Sequence, residues 1–237
     1  MNKHFLTFGD TRRYSASLAR MEQEVAAMAY FDSARICSEN DIAELVAAHP
    51  EFFATSNKGY GFWTWKSFLV GKYLEAMSEG DVLLFCDVGC QFNVNPASMQ
   101  RLDEYFEWLG MSRHATLSFE LTHQEKTWTK RDCFDFFGIE VDESMQLVGG
   151  VFLIRKCPAA VALIAGINAL VAERRYHLFD DSPSVAPNDP SFIEHRHDQS
   201  VFSLLRKREG TLIFPDETWF EDWTDGRDFP IHARRFR

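Results

Sequence analysis

Three separated groups of residues in this 237-residue chain have the types and spacing to do chemistry. The first is Asp87, which with Val88 and Gly89 ends the apolar run Val82–Cys86. A short apolar run entered through a turn, here Gly80-Asp81, suits a strand buried on both faces of a parallel sheet. A carboxylate at the C-terminal edge of such a strand lies where open α/β sheets bind ligands, and a glycine two residues on lets a ligand approach the backbone. The plainer alternative is that Asp87 opens a turn ahead of Asn95-Pro96, a common use of aspartate.

The second group is Lys66, set among aromatics in the segment 58–77 (KGYGFWTWKSFLVGKYLEAM). Gly59 and Gly61 free the backbone just before a helix, where amides can meet an anion. Lys66 itself either snorkels to the surface or neutralises a phosphate. The third group is His195-Arg196-His197-Asp198-Gln199, a dense polar cluster at the start of a helix. Asp198 stands where an N-cap would, and capping alone would account for it; it can do both jobs.

These groups need a frame, and the chain reads as alternating strands and helices. His4–Phe8 is a first strand, closed by Gly9-Asp10 and followed by a helix over 15–30. Strand, glycine turn and helix open many nucleotide-binding domains, but one glycine without GxGxxG is a weak form of that signal. Further strands are expected at 34–37, 115–119, 146–155 and 211–214, and helices at 39–48, from Pro96, over 127–137, and over 158–175. Lys130, Arg131 and Asp132 in the 127–137 segment read as a solvated helix face. Gly149-Gly150 ahead of a strong strand signals that something approaches the backbone there. The segment 176–197 carries Pro183, Pro187 and Pro190 and reads as a long loop, of the length that usually forms a lid or substrate loop. In the segment 228–237, His232, Arg234, Arg235 and Arg237 gather positive charge, as a frayed basic end or as a clamp on an anion.

Composition limits the functions available. With 46% hydrophobic residues the chain can bury a sizeable core. A net charge of −10 argues against nucleic acid as the main partner. Five scattered cysteines without a CxxC pair fit reduced thiols in the cytoplasm rather than a zinc site. No stretch reaches the roughly 20 apolar residues that span a bilayer, and no targeting segment is visible. Membrane contact is therefore expected to be peripheral at most, at the inner face.

Taken in order, GYGFWTWKSFLV, LLFCDVGC, GGVFLIR and HRHDQSVFSLL resemble the small bacterial GT-A nucleotide-sugar glycosyltransferases of polysaccharide and lipooligosaccharide synthesis. The resemblance implies a single α/β domain over 1–237 with a Rossmann-like, mostly parallel sheet flanked by helices. It implies a nucleotide-sugar donor, a UDP-sugar, and a saccharide or glycolipid acceptor. The donor would meet Phe8, Gly9, Asp10, Arg13, Lys66, Asp87 and Gly89, with Arg234, Arg235 and Arg237 closing over the pyrophosphate. Asp198-Gln199 is similar to the DQ pair of retaining enzymes of the glycogenin and galactosyltransferase type, which makes these two the catalytic candidates. Gly149, Gly150, His195 and His197 would face the sugar or acceptor. The family's DxD is reduced here to Asp87-Val88-Gly89, so either no metal is required or Mn2+/Mg2+ is held by Asp87 with a further ligand such as His232. A sugar-phosphate nucleotidyltransferase shares the α/β core, but Gly9-Asp10-Thr11-Arg12-Arg13 approximates its signature poorly. A noncatalytic sugar-nucleotide-binding protein would leave the cluster at 195–199 without a purpose.

Overall fold

A computed structural model describes residues 1–54 and 58–236. Six strands form the main sheet: β1 (Lys3–Phe8), β2 (Ser33–Cys37), β3 (Val82–Cys86), β5 (Thr116–Gln124), β6 (Met145–Arg155) and β7 (Leu212–Pro215), with β4 (Gln91–Phe92) and β8 (Ile231–His232) paired apart from it. The spatial order is β2-β1-β3-β6-β5-β7. β1 runs parallel to β2 and β3, and β5 parallel to β7, while β6 is antiparallel to both its neighbours. The sheet is thus mostly parallel with one reversed strand at its centre.

Side chains alternate across the strands and build two cores. Leu83, Phe85, Phe152 and Ile154 face one side, where helices α4 (Trp65–Ala76), α8 (Pro158–Ala172) and α9 (His197–Glu209) cover them. Val82, Leu84, Val151 and Leu153 face the other, under helices α1 (Thr11–Met28) and α5 (Pro96–Met111). Every residue of β3 is buried, as a strand covered on both faces requires. Among the described residues, no helix is long and apolar enough to cross a membrane.

Several elements depart from the sequence reading for local reasons. α1 begins at Thr11 rather than 15, because the Asp10 side chain accepts from the Arg12 N–H and caps it there. The expected helix over 127–137 is two short ones, α6 (Glu125–Trp128) and α7 (Arg131–Phe137), separated by extended backbone at Thr129 and Lys130. Lys130 is not on a solvated face. It is buried, and its ammonium donates to the Asp180 and Ser182 carbonyls at 3.1 and 3.2 Å. The loop 176–197 is anchored at several points, including Arg131 N–H to Asn188 (2.7 Å) and Arg196 N–H to the Trp128 carbonyl (3.0 Å).

Candidate functional site

The site lies where β6 outruns β3. Residue pairing between the two ends at Cys86 opposite Val151, one further backbone bond runs from the Asp87 N–H to the Gly150 carbonyl (2.8 Å), and β6 continues through Gly149 beyond β3. Side chains take the place of a strand partner. Gly149 N–H donates to Gln199 Oε1 (3.0 Å), and its carbonyl accepts from Lys66 Nζ (2.9 Å). One step further along, Leu147 N–H donates to Ser203 Oγ at 2.9 Å. The two glycines are required by close approach. A Cβ on Gly149 would sit 2.8 Å from Gln199 Cβ, and one on Gly150 2.6 Å from Asp87 Oδ2. What approaches the backbone here is therefore the site's own side chains.

Lys66 neither snorkels nor faces solvent; only 3% of its side chain is exposed. Its ammonium lies 2.7 Å from Asp198 Oδ2, 3.8 Å from Asp87 Oδ1 and 5.3 Å from the Phe85 ring centroid. Burial works against its charge, but Asp198 and Asp87 outweigh burial and hold its pKa above the ordinary lysine value. Burial pushes the Asp198 carboxyl up to about 6, Asp87 adds to this, and Lys66 opposes it. The pair is ionised on both sides at neutral pH. Asp198 is not an N-cap. α9 starts at His197 with Arg196 in the cap position and no side-chain cap, and Asp198 sits in the first turn with its carboxylate on Lys66. Of the basic residues in the last turn of α9, Arg208 is exposed and the other two turn inward. Arg206 is fully buried, donating to the Val148 carbonyl (2.8 Å) and Ser118 Oγ (3.1 Å), and Lys207 pairs with buried Glu125 at 2.6 Å.

Around these groups is a cleft of about 340 Å³. Of the residues expected at a site, it brings together Lys66, Asp87, Gly149, Gly150, His195, His197, Asp198 and Gln199. It adds Lys58, Trp63 and Glu194, which the sequence reading left out, and Arg196, which that reading placed in the 195–199 cluster without a role. Arg196 had a visible signal in its place within HRHDQ; Lys58 and Trp63 are delivered by a backbone turn that no residue pattern announces. Gly59, Tyr60, Gly61, Phe62 and Trp63 all have positive φ, from 51 to 83°. This left-handed turn, α3 (Gly59–Phe62), lays the Trp63 ring over Gly59, where a Cβ would stand 2.2 Å from it. Gly59 and Gly61 thus serve a tight turn, in which their carbonyls accept from the Trp63 and Thr64 N–H groups, rather than a helix N-terminus.

The two histidines are neutral and held by backbone. His195 Nε2–H donates to the Leu178 carbonyl (3.0 Å) and Nδ1 accepts from Lys130 N–H (3.4 Å), with burial lowering its pKa to about 3. His197 donates from Nδ1 to the Phe179 carbonyl at 2.7 Å, and burial lowers its pKa as well.

Asp87, at the end of β3, lines the cleft, and the C-terminal segment packs against that strand end without lining it. That segment is docked by β8 pairing with β4, by Ala233 N–H to the Thr218 carbonyl (2.7 Å) and by Phe236 N–H to the Gly89 carbonyl (3.0 Å). A Cβ on Gly89 would meet the Arg235 Cα at 3.1 Å, so the close approach that Gly89 permits is by the protein's own chain. Arg235 is exposed and acts on both Asp87 and Arg196 through its charge. Arg234 instead stacks its guanidinium 4.5 Å from the Trp223 centroid, and Arg237 lies outside the described residues. From the first strand's turn, Phe8 buries its ring against Trp65 at 4.0 Å, Gly9 N–H donates to the Cys37 carbonyl, Asp10 caps α1, and Arg13 is exposed; none of the four lines the cleft.

A divalent metal does not fit these residues. Asp87 is the one acid at the strand end, its would-be partner is Gly89, and the Lys66 ammonium already stands beside it. His232 is buried, bonded to the Gly226 carbonyl (2.8 Å) and flanked by Phe220 and Trp223, so it is no ligand of such a site. Among the described residues, no three His, Cys, Asp or Glu side chains are grouped to hold a metal ion.

No family model matches the sequence, and no curated protein does. A glycosyltransferase involved in the glycosylation of the major capsid of PBCV-1 superposes with a TM-score of 0.55 at 11% identity, over 98% of this chain and 92% of that one. The fold is GT-A. Mouse xyloside xylosyltransferase 1 aligns at a TM-score of 0.45 and 15% identity, over 94% of this chain and 77% of that one. The galactosyltransferase LgtC, solved in complex with donor and acceptor sugar analogs, aligns at 0.45 and 14%, over 91% and 74%. At these identities the likeness is one of fold.

Proposed function

We propose that the protein is a glycosyltransferase that moves a hexose from a UDP-sugar to a saccharide or glycolipid acceptor, with retention at the anomeric carbon, in bacterial surface polysaccharide synthesis at the cytoplasmic face of the membrane. One observation carries this reading. On a GT-A frame, the Lys66 ammonium lies between Asp198 and Asp87, with the Gln199 amide bonded to the same glycine, at the carboxyl end of the central strand. An ammonium and a carboxylate in contact offer a donor and an acceptor side by side, which is what neighbouring sugar hydroxyls need. Asp198 and Lys66 take these hydroxyls, and Gln199 faces the reacting carbon.

As the glycosidic bond breaks, negative charge grows on the departing diphosphate. Arg196, which lines the cleft, and Arg235, whose charge reaches Asp87 and Arg196, meet that charge without a metal. Gly9, Asp10 and Arg13 lie further out, toward the nucleoside. Gly149 and Gly150 serve by seating Gln199 and Asp87, and His195 and His197 by holding the 176–197 loop as the acceptor-side wall. The test is incubation with a panel of UDP-, dTDP- and GDP-hexoses. Free UDP and a sugar of unchanged anomeric configuration are expected, and both are lost in Asp198→Asn. Pyrophosphate release from a nucleoside triphosphate and a sugar phosphate would make the protein a nucleotidyltransferase instead. Ligand-induced thermal stabilisation without turnover would make it a binding protein.

A further inference from the structure

The Gln199 amide is the end of a chain of hydrogen bonds whose direction is set far behind the cleft. Its Oε1 accepts from Gly149 N–H at 3.0 Å, and its Nε2 donates to Gln146 Oε1 at 2.6 Å. Gln146 is fully buried. Its own Nε2 donates to Glu125 Oε1 at 3.0 Å, with Thr129 Oγ1 at 3.2 Å and Ser200 Oγ at 3.3 Å. Glu125 is also fully buried and is held by Lys207 at 2.6 Å, by Thr129 and by Ser203.

Each link admits one polarity. A carboxylate only accepts, so Glu125 draws the NH2 of Gln146 toward itself. Gln146 must then turn its oxygen to Gln199, and Gln199 must answer with nitrogen. At the other end a backbone N–H only donates, so Gly149 demands the oxygen of Gln199. The two constraints agree and forbid an amide flip, which would set two donors together at Gly149 and two acceptors together at Gln146. An amide carries two N–H groups, and one remains.

We propose that Gln146 and Glu125 are positioning residues that lock the Gln199 amide so that its remaining N–H is offered to the cleft as a fixed donor for a ligand oxygen. This rests on the reading of the cleft as a sugar-transfer site, because the cleft ligand is taken from it. The orientation itself can be tested without any ligand.

The experiment uses Gln146→Glu, Glu125→Gln and the double exchange of the two. Gln146→Glu sets a second carboxylate against Glu125, whose repulsion moves the oxygen at 146 away from Gln199, and Glu125→Gln lets the amide at 146 turn its NH2 toward Gln199. In the double exchange the amide at 125 donates to the carboxylate at 146, which still presents oxygen to Gln199, so direction is restored although the acid has moved. The first readout is the assigned side-chain NH2 pair of Gln199 in a nitrogen–proton correlation spectrum. Wild type is expected to show one N–H protected from solvent exchange. Each single variant that retains its melt should lose that protection, and the exchange should recover it. The second readout is hydrolysis of whichever UDP-hexose the wild type turns over fastest. On the order of a 100-fold fall in kcat is expected in the singles, the scale of a small misplacement of a reacting group, with KM within about twofold and partial rescue in the exchange. Unchanged Gln199 signals in the singles would overturn the proposal, as would kcat falling equally in singles and exchange. If one single variant does not fold, the other single and the exchange decide. If the wild type hydrolyses no nucleotide sugar while the Gln199 signals follow the pattern, the functional reading fails and the positioning stands.

Discussion

The two walls of the cleft are built in opposite ways. The wall carrying Asp198 and Gln199 is buried, and its polar groups bond to β6 backbone or to one another: Gln199 and Lys66 on Gly149, Ser203 on Leu147, Arg206 on Val148. The wall carrying Asp87, with Arg235 beyond it, is open; 44% of the Asp87 side chain meets solvent, and the Arg235 side chain lies at the surface. In a buried polar network each missing partner leaves a desolvated group behind, whereas at an exposed rim water takes the partner's place. The first wall should therefore respond to substitution in stability and in kcat, the second in ligand affinity.

The sharpest way to break this comparison is Lys66→Met. It leaves Asp198 buried beside Asp87 with no cation, and loss of one partner of a buried pair costs about 3–5 kcal/mol. Urea denaturation should show a loss of that size at pH 7. Lys66→Met combined with Asp198→Leu should recover most of it, while donor hydrolysis stays abolished in both. A double variant no more stable than the single would mean that the pair is not the unit that matters.

A smaller effect separates the two glycines. Gly149→Ala pushes against Gln199 Cβ and Cα, at 2.8 and 3.1 Å, which cannot swing away. Overpacking of that kind costs roughly 1–3 kcal/mol. Gly150→Ala meets the Asp87 carboxylate end, which has open solvent to turn into, so its melting temperature should stay close to wild type. Equal losses in the two would erase the distinction between the walls.

Acidity probes the buried wall without a mutation. Asp198 titrates at about 6, raised by burial, and only its carboxylate can bridge Lys66 to a sugar hydroxyl. Donor turnover should lose its ionised form, about tenfold per pH unit, as pH falls below about 6. For stability the sign is reversed. A carboxyl raised above its unfolded value is favoured when protonated, so this group's contribution declines as pH rises from about 4 to about 6 and is constant above that. A pH profile of kcat/KM flat from 5 to 8 would remove Asp198 from the essential groups.

The smallest stability effect belongs to the rim. Arg235→Gln should raise the donor KM about fivefold, on the order of 1 kcal/mol, with no measurable change in melting temperature. Deleting the segment from 232 onward is a poorer test, because His232 is buried and belongs to the β4–β8 pair.

The same contrast explains what the sequence made legible. Asp87, Lys66, Asp198 and Gln199 could be picked out because each breaks a local pattern: an acid ending an apolar run, a lysine among aromatics, an amide and an acid at a helix start. Strand identities followed from apolar runs, as in β3 and β6, and the GT-A fold could be anticipated from the resemblance. What stayed hidden depends on distance in the fold. Glu125, Gln146 and Lys207 look like ordinary surface residues in a sequence, and only the packing of α9 on β6 turns them inward. The role of Gly89 was misread because the chain that crosses it arrives from 146 residues later, at Arg235. Arg206, Lys207 and Arg208 match the charge preference of a helix end, and that local rule hid the burial of Arg206 and the pairing of Lys207 with buried Glu125.

The left-handed turn at 59–63 has a consequence for the order in which the molecule assembles. A left-handed residue other than glycine costs roughly 1–2 kcal/mol, and Tyr60, Phe62 and Trp63 are three of them within four residues. An isolated stretch of this sequence would not hold such a turn. Its support comes from Phe53, nearby in the chain, against Gly61, and from partners distant along it: His197 against the Phe62 and Trp63 rings, and Asp181 on Lys58. The turn can thus take shape only after α9 and the 176–197 loop have come home, and the mouth of the cleft is the last part of the protein to become itself. In hydrogen exchange on the intact protein the amides of 59–63 should be the first of the cleft to open, well ahead of β6.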